Sequence, residues 1–480
     1  MLVEPKPSDF RRPLVADSPA LPVKLDRGSA TPLAVQLAEE LRAFAADGRL
    51  RAGDRLPSTR ALATQLAVSR TVTAAAYEQL HAEGWIAGRH GSGTYVTTAP
   101  PGAPRARPRP PRAASVTGPA VDLRPGAPWV GGIDRAAWRR AWRGAADRAP
   151  LSRPERAGVP AYRAAVAEHL LRHRGLRVSG EFDEGGRGES VLATGGTTAA
   201  VGEIAASVLR RGDTVAVEDP GYQRAVAAFR AAGMRVVSLP IDADGPLPDA
   251  VPAGARAVYC SPAHQYPLGR RMSAGRRVEL VERARRAGWL VVEDDYDGEL
   301  RYDVAPLPLL AALAPDVVVH LGTTSKILSP TLGAGWMVAP PQVVTSVLEH
   351  RDETGTSPAA AGQLVVVELA RNGDLGRHLR RLRRELSERR DMIVKALRGA
   401  GLDLLGDDAG AHIVVPLPDP AAERAVIDAA RPLGLVLDGL GRHHQGRQVW
   451  SGIALGYAAC SREQLAAALP VLAELLTAPR

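Results

Sequence analysis

The stretch Val319-His-Leu-Gly-Thr-Thr-Ser-Lys326-Ile-Leu-Ser-Pro330 decides how this chain is read. Val317 to His320 has strand character, because a short run of β-branched residues fits a pleated, buried surface. The run delivers a polar turn, Thr323-Thr-Ser-Lys326, where hydroxyls and one amine stand together. That combination suits an amine that forms a Schiff base with a carbonyl, beside hydroxyls that hold a phosphate.

Upstream the same pattern repeats. Strands are expected at 190–194, 214–218, 235–239, 256–260 and 289–293, with helices at 163–173, 224–232 and 275–287. Strands alternating with helices imply an α/β domain whose mostly parallel sheet is covered on both faces. Ligands then bind beyond the carboxyl ends of the strands, so the polar clusters there should converge. The chain is helix-rich from about 357 to 397 and closes in a smaller α+β tail, 401–480.

Three further clusters stand at strand ends. Gly195-Gly196-Thr197 opens a helix, and exposed backbone N–H groups there make an anion seat. Glu218-Asp-Pro-Gly-Tyr222 presents a ring able to stack on a flat heterocycle. Glu293-Asp-Asp-Tyr-Asp297 offers a carboxylate for a pyridinium N–H. It offers equally a carboxylate for a metal, although no histidine or further acid shares that cluster in the sequence.

The N-terminal part has a different pattern. Leu33, Leu37, Leu41 and Phe44 recur at helical spacing, and Gly48 is a stop signal. Ser58, after Pro57, is a helix-cap candidate. Arg70 to Leu80 reads as another helix with Val72, Ala76 and Leu80 inward, and Trp85 to Val96 as a hairpin with a glycine-rich turn. Helix, turn, helix and hairpin make a winged helix-turn-helix, whose second helix puts its N-terminal side chains into the major groove. Ser69, Arg70, Thr71 and Thr73 are the hydrogen-bonding residues there, and the tip Arg89-His90-Gly91 can approach the backbone. Between Glu83 and Asp122 there is no acid, and Pro100–Pro119 holds seven prolines and four arginines. That stretch is expected to be an extended linker rather than part of a core.

The 480 residues carry a net charge of +9, which suits an anionic partner. Cys260 and Cys460 make no disulfide framework and read as small buried apolar residues. No apolar run spans a membrane, and no signal peptide is evident at the N-terminus, so a soluble cytoplasmic protein is expected.

Pro32-Leu-Ala-Val-Gln-Leu, Gly53-Asp-Arg-Leu-Pro-Ser-Thr-Arg60, Val68-Ser-Arg-Thr-Val and Gly91-Ser-Gly-Thr-Tyr-Val resemble the GntR-type DNA-binding domain. The resemblance implies that Arg60, Arg70, Thr71, Thr73, His90 and Gly91 contact double-stranded DNA. The order Gly-Gly-Thr, Asp-Pro-Gly-Tyr, Ser261-Pro-Ala-His-Gln-Tyr-Pro-Leu-Gly269, Glu-Asp-Asp-Tyr-Asp and Thr-Thr-Ser-Lys resembles the fold-type-I aminotransferases. The whole is most similar to the MocR subfamily of GntR regulators, where the two are fused.

The resemblance divides the chain into an N-terminus (1–22), a winged helix-turn-helix (23–97), a linker (98–120) and an aminotransferase-like domain (121–480). It implies that pyridoxal 5'-phosphate forms an internal aldimine with Lys326, with Asp294 on the pyridine nitrogen and Tyr222 on the ring. Tyr296 and either His264 or Gln265 would bond the ring 3-oxygen. Gly196, Thr197, Thr323 and Ser325 would cradle the phosphate, and Arg224 would meet the carboxylate of an amino-compound effector. A homodimer is implied as well.

Two departures stand out. The family's phosphate-binding arginine, seven residues after the lysine, is Gly333 here, and Trp450-Ser-Gly-Ile-Ala-Leu-Gly-Tyr457 holds no arginine for a substrate carboxylate. Arg442 and Arg447 are the nearby substitutes. His443-His444 between them read as solvated, and no metal is expected. The missing arginine favours a regulator that senses pyridoxal phosphate or an amino compound over an active aminotransferase with an appended DNA-binding domain. Gly333 also leaves room for a domain that has lost the cofactor and only dimerises.

Overall fold

The computed structural model describes residues 22–89, 93–97, 120–150, 152–178, 190–302 and 308–478. The chain divides into two compact units, Met1–Ser115 and Val116–Arg480. Of the expected linker 98–120, all but Ala120 lies outside the described residues.

In the first unit, helices Leu33–Ala46 (α1), Thr59–Gln65 (α2) and Arg70–Ala82 (α3) pack around Leu37, Leu41, Phe44, Leu62, Ala76, Tyr77 and Leu80. Two of the starts are fixed by serines. Ser58 Oγ accepts from the Ala61 N–H at 3.1 Å and Ser69 Oγ from the Val72 N–H at 3.4 Å, each satisfying an orphan donor of the first turn. Strands Arg55–Leu56 (β1), Ile86–Arg89 (β2) and Gly93–Val96 (β3) form an antiparallel sheet in the order β1-β3-β2. The expected hairpin is therefore joined by a third strand from ahead of α2. On α3 the inward register differs from the expectation. Val72 is half-buried, while Thr73 is fully buried and its hydroxyl donates to the Thr59 carbonyl at 2.8 Å.

The second unit begins with Val121–Asp122 (β4), then α4 (Arg135–Ala146) and α5 (Pro160–Arg174). Next come Val191–Thr194 (β5), α6 (Thr197–Ser207), Thr214–Asp219 (β6), α7 (Gln223–Ala231), Arg235–Asp242 (β7) and Gly245–Pro246 (β8). They are followed by Ala255–Cys260 (β9), Leu290–Asp295 (β10), Val318–Thr323 (β11) and Gly335–Val338 (β12). The sheet has the order β5-β12-β11-β10-β9-β6-β7-β8. The five strands from β11 to β7 run parallel, whereas β12 is antiparallel to both its neighbours and β8 to β7.

Alternation along each strand sorts residues between two cores. Leu192, Val215, Val217, Ala257, Tyr259, Val292, Val319 and Leu321 face α6 and α7. Val191, Ala193, Ala216, Val258, Cys260, Val291 and Val318 face the opposite core with Tyr162 and Leu170 of α5. Strands buried on both faces are why these segments read as continuous apolar runs.

The C-terminal part starts from the 26-residue helix Asp374–Gly399, whose buried stripe runs through Leu379, Leu382, Leu386, Ile393 and Leu397. It continues into a small antiparallel sheet of His412–Pro416 (β13), Asp438–Gly439 (β15) and Gly452–Gly456 (β16), between which Leu435–Val436 (β14) pairs in parallel with β4. The start of this unit is thus tied to its C-terminal subdomain.

Candidate functional site

Lys326 stands three residues past the end of β11, in the turn closed by the Thr324 N–H on the Ala334 carbonyl at 3.0 Å. Its Nζ donates to the Gly126 carbonyl at 2.6 Å. Burial holds the amine's pKa below its ordinary value, against the opposing charges of Asp297 and Asp294. A depressed pKa favours the neutral amine, the form that attacks a carbonyl.

Asp294, on β10 between β9 and β11, is buried. Its Oδ2 accepts a short hydrogen bond from the Tyr259 hydroxyl on β9, and its Oδ1 has no partner among the described residues. Burial pushes its pKa up to about 7, with the charges of Asp295 and Asp297 adding to the rise. An unpaired buried acceptor costs about 1–3 kcal/mol until a donor arrives. The N–H of a protonated pyridine is such a donor.

Gly196 caps α6 at φ 112° and gives its N–H to Thr194 Oγ1 at 3.2 Å. A Cβ built there would lie 3.5 Å from Thr323 Oγ1, so the helix N-terminus and the end of β11 face each other across one cup. Thr323 Oγ1 donates to Ser325 Oγ at 2.9 Å and accepts from the Ser325 N–H at 3.1 Å. Thr197 is buried as the first residue of α6. Gly333 adds no side chain to the cup; at φ 56° it closes the turn Pro330–Leu332. Tyr222 sits half-buried at the start of α7. Its hydroxyl is 3.1 Å from Thr198 Oγ1, and its ring lies edge-on to Tyr266 at 6.1 Å.

Of the two alternatives for the ring oxygen, Gln265 is committed to the loop. Its amide donates to the Pro220 and Tyr266 carbonyls at 2.9 and 2.7 Å, and its Oε1 accepts from the Leu268 N–H at 3.1 Å. These bonds leave it no role on a ring, which corrects that expectation. His264 Nδ1 lies 2.8 Å from Asp297 Oδ2 and 3.0 Å from the Tyr296 hydroxyl, while its buried Nε2 has no partner among the described residues. His412 of β13 lies tilted beside it, ring centroids 4.9 Å apart, and gives Nε2–H to the Pro267 carbonyl at 2.9 Å. His264, Asp297 and His412 offer ligand atoms within 4.8 Å of one another, a spacing able to hold a metal ion. The fold therefore brings histidines to an acid cluster that has none in the sequence.

Arg224 is exposed; burial raises the Tyr222 and Tyr266 phenols and lowers the Lys326 amine, and the Arg224 charge opposes the rise of the two phenols and adds to the fall of the amine. Arg442 is bound to Asp438, and Arg447 is exposed. His443 is buried with Nε2 3.2 Å from Asp438 Oδ2, contrary to the solvated reading. Sequence reasoning missed Tyr259, Asp297 and His412. It also missed Glu218, a buried carboxyl pushed up to about 8 by desolvation.

In the first unit Arg60, Ser69, Arg70 and Thr71 are exposed, and Arg60 and Arg70 line one groove of about 460 Å³ together with Thr64 and Val68. Thr73 faces the core instead, so its assignment to DNA is corrected. His90 and Gly91 lie outside the described residues. Arg27, unassigned from the sequence, reaches the same turn and donates to the Ala67 carbonyl at 2.6 Å.

The two units define a class: a DNA-binding helix-turn-helix joined to an aminotransferase fold. Residues 33–96 match the family of bacterial regulatory proteins called gntR, and residues 136–437 match aminotransferase class I and II. The chain belongs to the MocR-type GntR transcriptional regulators, which bind DNA and carry an aminotransferase-like domain. It is 33% identical to the HTH-type pyridoxine biosynthesis transcriptional regulator PdxR of Corynebacterium glutamicum, over 93% of this chain and 96% of that one. It is 32% identical to the probable rhizopine catabolism regulatory protein MocR of Rhizobium meliloti, over 90% and 92%. Among solved structures, Pyrococcus horikoshii kynurenine aminotransferase superposes with a TM-score of 0.67 at 25% identity, covering 75% of this chain and 91% of that one. No described helix is long and apolar enough to cross a membrane.

Proposed function

We propose that the second unit holds pyridoxal phosphate on Lys326 and that its occupancy, by the cofactor alone or with an amine ligand, sets the affinity of the first unit for its operator. The unpaired Oδ1 of Asp294 carries this reading. A buried carboxylate with one oxygen bonded to Tyr259 and the other without a partner among the described residues suits a pyridinium N–H.

Asp294 would hold the ring nitrogen and Tyr222 the ring face. Tyr296 and His264 would hold the 3-oxygen side, and Gly196, Thr197, Thr323 and Ser325 the phosphate. Bound through Lys326, pyridoxal phosphate supplies an electrophilic carbon that exchanges one amine for another. Arg224, two residues past Tyr222 and exposed, would meet an effector carboxylate. A homodimer is part of the proposal, as in the family. The likeness to a regulator named for pyridoxine biosynthesis supports the cofactor itself as one signal.

The purified protein should show a visible absorbance band in the presence of pyridoxal phosphate. Borohydride reduction should fix one cofactor per chain on Lys326, and Lys326→Ala should lose both signals. A wild type with neither band nor adduct leaves a second unit that only dimerises. Multiple-turnover exchange between an amino acid and a keto acid would instead favour an enzyme.

A further inference from the structure

We infer that Arg27 is a further DNA contact of the first unit: a segment ahead of α1 carries its guanidinium to the turn between α2 and α3, where it meets a backbone phosphate beside Arg60 and Arg70. No motif assigned it, and the inference does not depend on the cofactor. It rests on the assignment of Arg60 and Arg70 to DNA.

The turn leaves one acceptor over. Leu66 ends α2, and the Val68 and Ala67 N–H groups return to the Ala63 and Thr64 carbonyls at 3.1 and 3.3 Å. That pattern closes a helix around a residue in the left-handed region, usually glycine. Here the residue is Ala67, at φ 51°. No backbone N–H among the described residues takes the Ala67 carbonyl. Arg27 Nη2 takes it instead at 2.6 Å, from 40 positions away in the chain.

The segment that delivers Arg27 is itself fixed. Gln36 of α1 accepts from the Asp26 N–H at 2.8 Å and donates to the Asp26 and Thr31 carbonyls at 2.9 and 2.7 Å. Asp26 Oδ1 accepts from the Gly28 N–H at 2.8 Å, and Val23 and Leu25 pack on the core of the unit. Arg27 is therefore held at both ends, by its anchored backbone and by the Ala67 carbonyl. A free exposed arginine loses rotamer freedom when it binds, and one already held loses less.

The guanidinium keeps donors to spare. It carries five N–H groups and gives one to Ala67, with no other hydrogen bond or ion pair among the described residues. Ala67 lines one groove with Arg60 and Arg70, and no acid lines it. Arg60 and Arg70 likewise form no ion pair among the described residues. Cations gathered without a carboxylate repel one another until an anion enters. A planar, forked cation matches the oxygens of a phosphate diester. Phosphate contacts of this kind hold the register of a recognition helix while its own side chains read bases.

The test is fluorescence anisotropy of the full chain on two labelled duplexes over a series of salt concentrations. One duplex is selected by the wild type from a random-sequence pool, and the other is of unselected sequence. Arg27→Ala should weaken both by the same factor, about tenfold at about 0.1 M salt, and make the slope of log affinity against log salt shallower by about 0.9 per bound chain. Gln36→Ala removes no charge but releases the segment. It should weaken both duplexes and add nothing in the Arg27→Ala background. Arg424→Ala, which removes an exposed arginine from the second unit, should leave the slope unchanged.

Unchanged affinity and slope in Arg27→Ala would overturn the contact. So would a loss confined to the selected duplex, which would make Arg27 a brace of the turn alone. A Gln36→Ala loss that persists in full without Arg27 sinks it as well, as does an Arg424→Ala slope change as large as that of Arg27→Ala. Melting temperatures of the variants separate each of these results from unfolding. If Arg60→Ala and Arg70→Ala are inert too, the assignment of this face to DNA fails and the proposal falls with it. An inert Arg27→Ala beside weakened Arg60→Ala and Arg70→Ala removes the proposal alone.

Discussion

Asp294 shows how one side chain links the site to stability. Its folded pKa of about 7 lies above the ordinary carboxyl value of 3.8, so the folded chain binds the proton more tightly than the unfolded one. Stability from this group is full below about pH 4 and is lost as pH rises to about 7. The loss is on the order of 4 kcal/mol at most. Glu218, pushed up to about 8, extends the same trend upward. Cofactor-free protein should therefore melt at a lower temperature at pH 8 than at pH 5, and Asp294→Asn should flatten that slope. Cofactor-loaded wild type should flatten it too, because the ring N–H satisfies the carboxylate; equal slopes in all three would remove Asp294 from the pocket.

The residues were unequally legible in the sequence. Lys326, Asp294 and Tyr222 stand in short motifs at strand ends and could be found there. Asp297 stood in such a motif as well, but its partners His264 and His412 come from β-strand neighbourhoods far along the chain, so no local pattern announces the pair. Gln265 and Thr73 were misread for the opposite reason: a polar residue suggests a ligand until its bonds to nearby backbone are seen.

At the scale of the element, the register of α3 separates two kinds of residue that sequence alone grouped together. Arg70 is exposed at its start, while Thr73 is buried one turn on. Arg70→Ala should weaken binding to a specific operator by about 1–3 kcal/mol, and random DNA less, if it reads a base. Thr73→Val should instead lower the melting temperature of the first unit, through the lost bond to the Thr59 carbonyl, with operator affinity unchanged once corrected for the folded fraction. Equal loss at specific and random DNA would make Arg70 a phosphate contact.

The N-terminus of α6 makes a parallel case. At φ 112°, and with Thr323 Oγ1 3.5 Å from a built Cβ, Gly196→Ala adds backbone strain and narrows the cup. Cofactor affinity should fall about tenfold in a fluorescence titration, the equivalent of roughly 1.4 kcal/mol. Unchanged affinity would place the phosphate elsewhere. Most parallel strands were legible as apolar runs, but β12 was not. Gly335-Trp-Met-Val is short, opens on glycine and gains its strand identity only by inserting antiparallel between β5 and β11. Helix α4 was missed as well, its arginine-rich face masking Ala137 and Ala141, which are buried.

At the scale of the molecule, a DNA-binding unit and a cofactor-shaped unit share one chain, and a regulator requires that their occupancies be coupled. Coupling is a free energy between two binding events, and it is reciprocal. If loading Lys326 changes operator affinity by some factor, saturating operator DNA must change cofactor affinity by the same factor and in the same direction. Typical couplings are about 5–150-fold, well within reach of anisotropy for the DNA and absorbance for the cofactor. Lys326→Ala should keep the operator affinity of the cofactor-free wild type and lose the response to cofactor, because Lys326 belongs to the second unit and has no part in the helix-turn-helix. Loss of basal DNA binding in that variant would mean a folding defect, readable as a lowered melting temperature. Operator affinity unmoved by cofactor or amine in the wild type, with the band present, would leave the two units thermodynamically independent, since a ligand shifts an equilibrium only by its differential affinity for the two states.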